Sequence, residues 1–484
     1  MMQYRSIIRI LGLLVAIFSI TMLPPAFIAY WYQDGAGVPF ILSFFLSLLI
    51  GFVVWYPNRN EKSELKVREG FLIVVLFWTV LGAVGALPFW LADKPDMNLA
   101  ASMFEAFSGL TTTGATVLTG LESLPKAILY YRQQLQWFGG MGIIVLAVAI
   151  LPMLGVGGMQ LYRAETPGPV KDNKMTPRIA DTAKHLWFIY LGITIACAVS
   201  FYVAGMSAFD AICHAFSTVA IGGFSTYDAS IGYFNSVSIN MICLVFLLIS
   251  SVNFPLHFAA VRGKNIKTYW RDPELKAFMV IQLALMVICF LVLLEEQIYP
   301  DLLSALNHGL FQAVSMSTTA GFSTASFSSW PLFLPILLIF ASFIGGCAGS
   351  TAGGLKVVRV LLLFLQGKRE LNRLVHPRAV YSIKLGRRPV PDRIVEAVWG
   401  FFAAYTLVFV VIMLLLLLVG MDNISAFTAT AACLNNLGPG LGEVAANFAS
   451  VPDAGKWILV VAMIFGRLEI FTLLVLFTAA FWKD

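Results

Sequence analysis

The sequence predicts an all-α polytopic membrane protein: four tandem helix–re-entrant segment–helix repeats in pseudo-fourfold arrangement, preceded by a two-helix hairpin. Three observations carry this. Of 484 residues, 59% are apolar and only 12% charged, and the mean hydropathy is +0.83, far from a soluble average. Apolar runs of roughly 20 residues, long enough to cross a hydrocarbon core of about 30 Å as helices, recur along the whole length. Four short segments also share one pattern, an apolar stretch and a polar or small cluster leading to a glycine. They are Phe107–Gly114, Phe216–Gly223, Val314–Gly321 and Ala431–Gly438, and their glycines are 109, 98 and 117 residues apart.

Ten spans are expected, at about 7–32, 37–57, 70–92, 134–155, 186–205, 237–260, 276–296, 332–366, 394–420 and 456–482. Alternating strand patterns of the outer-membrane type are absent, so the protein is helical rather than a barrel. The first span follows Arg5 and Arg9 as a signal peptide would. It is too long and lacks a small-residue cleavage site, so it is expected to stay in the membrane. Residues 1–69 form the hairpin, and the repeats occupy 70–160, 183–262, 275–367 and 392–484. The re-entrant segments, at about 98–113, 209–221, 303–319 and 424–436, are each too short to span a bilayer.

Lys and Arg fix the orientation. The loops after spans two, four, six and eight carry Arg59, Lys62, Lys66 and Arg68; Arg163, Lys171, Lys174, Arg178 and Lys184; Arg262, Lys264, Lys267, Arg271 and Lys276; and Lys368, Arg369, Arg373, Arg378, Lys384, Arg387, Arg388 and Arg393. The opposite loops hold only Lys94, Lys126, Arg132 and Lys456. Positive residues mark the cytoplasmic side, so both termini lie inside and the glycine segments outside. The net charge of +6 therefore needs no nucleic-acid partner. Cys197, Cys213, Cys243, Cys289, Cys347 and Cys433 have no CxxC spacing and read as reduced core residues.

Irregular backbone at membrane depth survives only where it is buried in protein or lines water. Four equivalent tails therefore point to one shared water-filled axis, and each repeat becomes helix–pore loop–helix. A short helix entering from outside aims its partially negative carboxyl end at the axis, which favours a cation. The residues leaving it can offer carbonyls in place of a hydration shell, provided some positions take left-handed angles, as glycine does. Gly114, Gly223, Gly321 and Gly438 are expected to hold those positions. The residues before them, Thr111 and Thr112, Ala220 and Ile221, Thr318 and Thr319, Asn435 and Asn436, are expected to supply oxygens. Side chains differ among the copies, so backbone must be the common ligand. No carboxylate is present there, which argues against a calcium-type site.

The segments Thr111–Ala115, Ala220–Phe224, Thr318–Phe322 and Asn435–Pro439 resemble the four filter segments of the Trk/Ktr/HKT potassium transporters. Gln136-Trp-Phe-Gly-Gly-Met-Gly142 and the amino-terminal hairpin resemble the TrkH branch. The resemblance covers essentially the whole chain. It implies a potassium-translocating subunit of a bacterial inner membrane, embedded in lipid and dimeric, with one pore per protomer. It further implies control by a cytosolic nucleotide-binding regulatory ring of the TrkA type. In this family a serine at the first filter glycine is associated with sodium permeation, so Gly114 favours potassium. Every copy departs from the Thr-Val-Gly-Tyr-Gly of ordinary potassium channels, which implies looser selectivity. The transported K+ is the only ion implied, and no organic cofactor or nucleotide fingerprint is present.

As one helix, 332–366 would measure about 52 Å. The stretch Gly345-Gly-Cys-Ala-Gly-Ser-Thr-Ala-Gly-Gly354 is expected to break it. A phosphate loop is excluded because Leu355, not Lys-Ser/Thr, follows Gly354 and no strand precedes it. An intramembrane gate loop using Gly345, Gly346, Gly349, Gly353 and Gly354 is the reading preferred over a packing kink, and the family resemblance implies the same. Lys356, just beyond, is placed beside the conduction path. Arg467 lies in mid-span ten, roughly 16 Å from either end by helical rise, too deep to snorkel comfortably. An intramembrane charge is functional by default. It is expected to face the pore and repel cations there, a role the resemblance also implies. Glu469 is two positions away and does not face it on a helix.

The five histidines form no metal or catalytic constellation. Glu105, Asp210 and Glu443, near the outer mouth, either concentrate cations or cap the re-entrant helices. No nucleophile, base or metal set marks an enzyme. A secondary symporter remains the alternative; it would predict a titratable group at a midplane site.

Overall fold

In a computed structural model the described residues are 3–61, 67–145, 179–331, 333–386 and 388–482. The second half of the expected fourth span, the linker to residue 178, and the charges Lys62, Lys66, Arg163, Lys171, Lys174, Arg178 and Arg387 lie outside them.

The fold is almost wholly helical. Six helices are apolar and long enough to cross a membrane: Tyr4–Tyr32, Gly37–Asn58, Arg68–Leu91, Ala183–Val203, Pro273–Glu295 and Asp392–Leu418. Two helix pairs are long and apolar enough only when taken together, Val237–Ser250 with Phe254–Gly263 and Asp453–Arg467 with Ile470–Phe477, and they are bent by 89° and 112°. The causes are local. Pro255 follows the first bend, where a proline suits a helix start, and Glu469 at φ 56° interrupts the second. The remaining two expected spans correspond to Lys126–Val145, which runs to the edge of the described residues, and to the pair Leu334–Ile344 and Val357–Val375. Residues 345–356 separate that pair as a non-helical loop.

The first two helices cross closely because both carry glycine at the crossing. A Cβ on Gly12 would fall 2.6 Å from the Trp55 amide, and one on Gly51 2.6 Å from that of Ala16. Small residues at such a crossing let backbones approach, a packing suited to lipid. Only 28% of the apolar window of Pro273–Glu295 is buried in the chain. Its Val280, Leu283 and Leu291 stay exposed, an apolar face fit for lipid rather than water.

Between the long helices lie four short ones: Leu99–Leu110, Ala208–Ala220, Leu302–Ser317 and Asn423–Leu434. Each begins on a side chain that accepts from amides of the first turn: Asn98, Ser207, Asp301 and Asp422. Such caps satisfy donors a helix start leaves orphaned. At about 1.5 Å per residue the shortest is about 18 Å long, and each ends deep among buried residues.

Candidate functional site

All four short helices end in the same way. The residue two before each glycine is left-handed: Thr112 (φ 52°), Ile221 (54°), Thr319 (66°) and Asn436 (53°). Its amide bonds back three residues, and the following amide bonds back five: Thr113 to Ser108 and Gly222 to Ser217 at 2.8 Å, Ala320 to Ser315 at 2.8 Å, and Leu437 to Ala432 at 2.7 Å. This is the Schellman ending, which normally takes glycine. Thr, Ile, Thr and Asn occupy it here. A left-handed side chain costs roughly 1–2 kcal/mol, so the four positions store strain that surrounding contacts must offset.

The glycines are left-handed as well, with φ of 80°, 80°, 76° and 98° at Gly114, Gly223, Gly321 and Gly438. Any side chain there would also collide with the next segment. A Cβ on Gly114 would overlap the Gly222 carbonyl, one on Gly223 that of Ala320, one on Gly321 that of Leu437, and one on Gly438 would lie 2.8 Å from that of Thr113. The contacts run in one sense and close on themselves, so the segments form a ring. All four glycines line one cavity of about 590 Å³.

The eight residues singled out for oxygens are all buried within this ring. Among the described residues, no hydrogen bond reaches the carbonyls of Thr112, Ile221, Thr319 or Asn436, nor those of Thr113, Ala320 or Leu437. Two other carbonyls are taken: Gly222 accepts from Gln136 Nε2 at 2.6 Å, and Asn435 accepts from the Gly354 amide at 3.1 Å. Buried carbonyls nearly always have partners, which sets this row of acceptors apart from the rest of the buried backbone.

The 345–356 loop packs against the inner side of the ring. Its Gly353 amide donates to Thr319 Oγ1 at 2.7 Å, and Thr351 Oγ1 donates to the Val219 carbonyl at 3.0 Å. With the Gly354–Asn435 bond, the loop touches segments two, three and four. Gly353 admits no side chain, because a Cβ would overlap the Asn435 carbonyl. Gly345 and Gly354 are left-handed at φ 69° and 72°, and Cβ atoms on Gly345 and Gly346 would meet the loop's own Gly353 and Ala352. Gly349 (φ 74°) turns above Asn253. Lys356, at φ 80°, bonds the Ala352 carbonyl through Nζ.

Arg467 is 2% exposed. Its guanidinium donates to the Thr351 carbonyl at 3.2 Å and the Gly139 carbonyl at 2.9 Å, tying the loop to the helix Lys126–Val145. Glu469 turns elsewhere, to Arg359 at 2.8 Å. Arg467, Lys356, Gly353, Gly354 and Asn436 together line a cavity of about 70 Å³, far smaller than the one the four glycines line.

Further contacts support the ring and the loop, and of their residues Tyr405 and Glu274 carry no sequence signal strong enough to single them out. Gln136 holds segment two from behind, and Asn436 Nδ2 donates to Thr113 Oγ1 at 2.9 Å, joining segments four and one. Tyr405 donates to Asn435 Oδ1 at 2.5 Å. Glu274, buried, accepts from the Ala348 amide at 2.7 Å and the Val358 amide at 3.2 Å, at both ends of the loop. Glu105 is neither a cap nor an exposed cation trap: it is fully buried and paired with Arg132 at 2.6 Å. Asp210 accepts from Thr226 and Tyr227 of its own tail. Among the described residues no group of three His, Cys, Asp or Glu side chains is placed to hold a metal.

A family model described as "TrkH: Cation transport protein" matches residues 37–484. The chain is 66% identical to the Trk system potassium uptake protein TrkH of Vibrio parahaemolyticus and 64% identical to that of Escherichia coli K12, over the full length of each. It also superposes on the crystal structure of the potassium transporter TrkH from Vibrio parahaemolyticus with a TM-score of 0.93, at 63% identity, covering all of both chains. The family is one of transporters rather than enzymes, and this chain, with its ring of glycine segments, belongs to the TrkH cation transport family.

Proposed function

We propose that this protein carries potassium ions into a bacterial cell through a channel-like pore in the inner membrane, with both termini cytoplasmic. Ten spans would frame it, four repeats arranged pseudo-symmetrically about the pore behind an amino-terminal hairpin. The observation that carries the reading is the closed ring of four glycine segments, whose buried carbonyls lack donors among the described residues. Carbonyls aimed inward replace the hydration shell of a cation without adding formal charge. That cation is read as potassium because the relatives are potassium uptake proteins.

The 345–356 loop is the gate in this reading. It bonds three of the four segments and, with Arg467, bounds the small inner cavity. A buried guanidinium beside the path repels a monovalent cation strongly where water is scarce. Opening requires the loop to leave Thr319 and Asn435 and Arg467 to release Thr351. The basic cytoplasmic loops are the surface for a regulatory ring of the TrkA type, and a homodimer in lipid is the working assembly.

The alternative, an ion-coupled potassium symporter, needs a titratable group among the coordinating atoms. Those offered here are backbone oxygens. The deciding experiment records current from purified protein in planar bilayers under a potassium gradient at pH 6 and pH 8. A channel reverses at the potassium equilibrium potential at both values. A reversal that moves with the proton gradient would overturn the channel reading.

A further inference from the structure

Behind the ring, one position recurs. Nine residues before each glycine the short helix carries Glu105, His214, Gln312 and Ala429. The first three reach forward to the tail that leaves their own glycine. Glu105 accepts from Thr116 Oγ1 at 3.0 Å and the Val117 amide at 3.0 Å. His214 Nε2 meets Ser225 Oγ at 2.9 Å. Gln312 Oε1 accepts from the Thr324 amide at 3.3 Å. Where the fourth copy has alanine, the preceding residue substitutes: Thr428 Oγ1 accepts from the Leu441 amide at 3.0 Å.

We infer that these side chains are braces that set the width of the filter's outer rim, and that Glu105 with Arg132 is the decisive one. Among the described residues, only that brace is an ion pair and only it crosses between segments. Arg132 donates to Thr116 Oγ1 at 3.0 Å and to the Ser225 carbonyl of segment two at 3.0 Å, while its guanidinium lies 4.1 Å from the Phe224 ring centre. One buried guanidinium thus fixes the spacing of two tails. Sodium is smaller than potassium, and a ring of carbonyls must contract to hold it well. Tails pinned from behind resist that contraction, so the braces act on selectivity through the carbonyls and touch no ion themselves. They are positioning residues.

The inference rests on the filter reading above, and its test keeps the two separable. The potassium-to-sodium permeability ratio is measured in proteoliposomes for wild type, Glu105→Gln, Thr116→Val, Thr116→Ser and Gly114→Ser, each first checked for monodispersity and melting temperature. Losing one of these bonds is worth about fivefold in an equilibrium. The ratio should therefore fall by about that factor in Glu105→Gln and Thr116→Val and return in Thr116→Ser. If Glu105→Gln does not fold, Thr116→Val, which leaves the ion pair in place, decides alone. An unchanged ratio in the brace variants beside a lowered one in Gly114→Ser overturns the braces and leaves the filter standing. An unchanged ratio in Gly114→Ser as well overturns both.

Discussion

Replacing Gly353 by alanine should hold the proposed gate open. The new methyl would occupy the place of the Asn435 carbonyl and press on Thr319 Oγ1, 3.1 Å away. In the closed arrangement the loop must then retreat, which removes the Gly353–Thr319 bond of 2.7 Å and the Gly354–Asn435 bond of 3.1 Å. Each is worth about 1 kcal/mol net, so the closed state loses about 2 kcal/mol. Once the loop has left the ring the methyl meets nothing there, and the open state is unaffected. The closed-to-open ratio should fall by about thirtyfold at 1.4 kcal/mol per decade. Single-channel recording in bilayers without any regulatory partner gives the open probability directly. If that probability is unchanged or lower, with unit conductance preserved, the loop does not gate by contact with the filter.

Other perturbations have distinct outcomes. Arg467→Ala removes both bonds to the Thr351 and Gly139 carbonyls and should raise unstimulated potassium leak by about tenfold or more, since a bond from a charged group is worth about 1.5–3 kcal/mol; Arg467→Lys, keeping the charge, should leak less in the same flux assay. Glu274→Gln removes the charge that holds the Ala348 amide of the loop and the Val358 amide of the helix after it and should raise leak while leaving the potassium-to-sodium ratio alone, which separates gate from filter. The Ser425 hydroxyl and amide hold Asp422 below the usual carboxylate range. Its stabilising effect is full above the unfolded value of about 3.9 and is lost as pH falls through the lower folded one. Asp422→Asn should therefore flatten the acid limb of melting temperature against pH.

How much of this was legible beforehand follows from the kind of interaction. Apolar runs and short glycine-ended helices are written in composition and spacing, so the long helices and the four ring segments could be read directly. The interruption at 345–356 was visible because ten residues there include five glycines. Bends at Ser251–Asn253 and at Glu469 were not, because each turns on a few residues within an apolar run, and only Glu469 takes an unusual angle, at φ 56°. The caps Asn98, Ser207, Asp301 and Asp422 were readable in principle, being capping residue types directly ahead of each short helix. Glu274, Gln136 and Tyr405 were not, since each acts across 30 to 86 residues of sequence on backbone or a side-chain amide. Glu105 was noticed for its charge, but only the fold brings Arg132 to it. The carbonyls of Thr113, Gly222, Ala320 and Leu437, one residue beyond the expected oxygens, are the ones each neighbouring glycine must clear.

The central claim is that cations sit inside this ring on backbone oxygen. It is tested most directly by crystals grown with rubidium or thallium in place of potassium and measured at the anomalous edge. The account predicts anomalous peaks enclosed by the carbonyls of residues 111–113, 220–222, 318–320 and 435–437. Peaks confined to the cavity of about 590 Å³, or to any path that bypasses the four glycines, would contradict it.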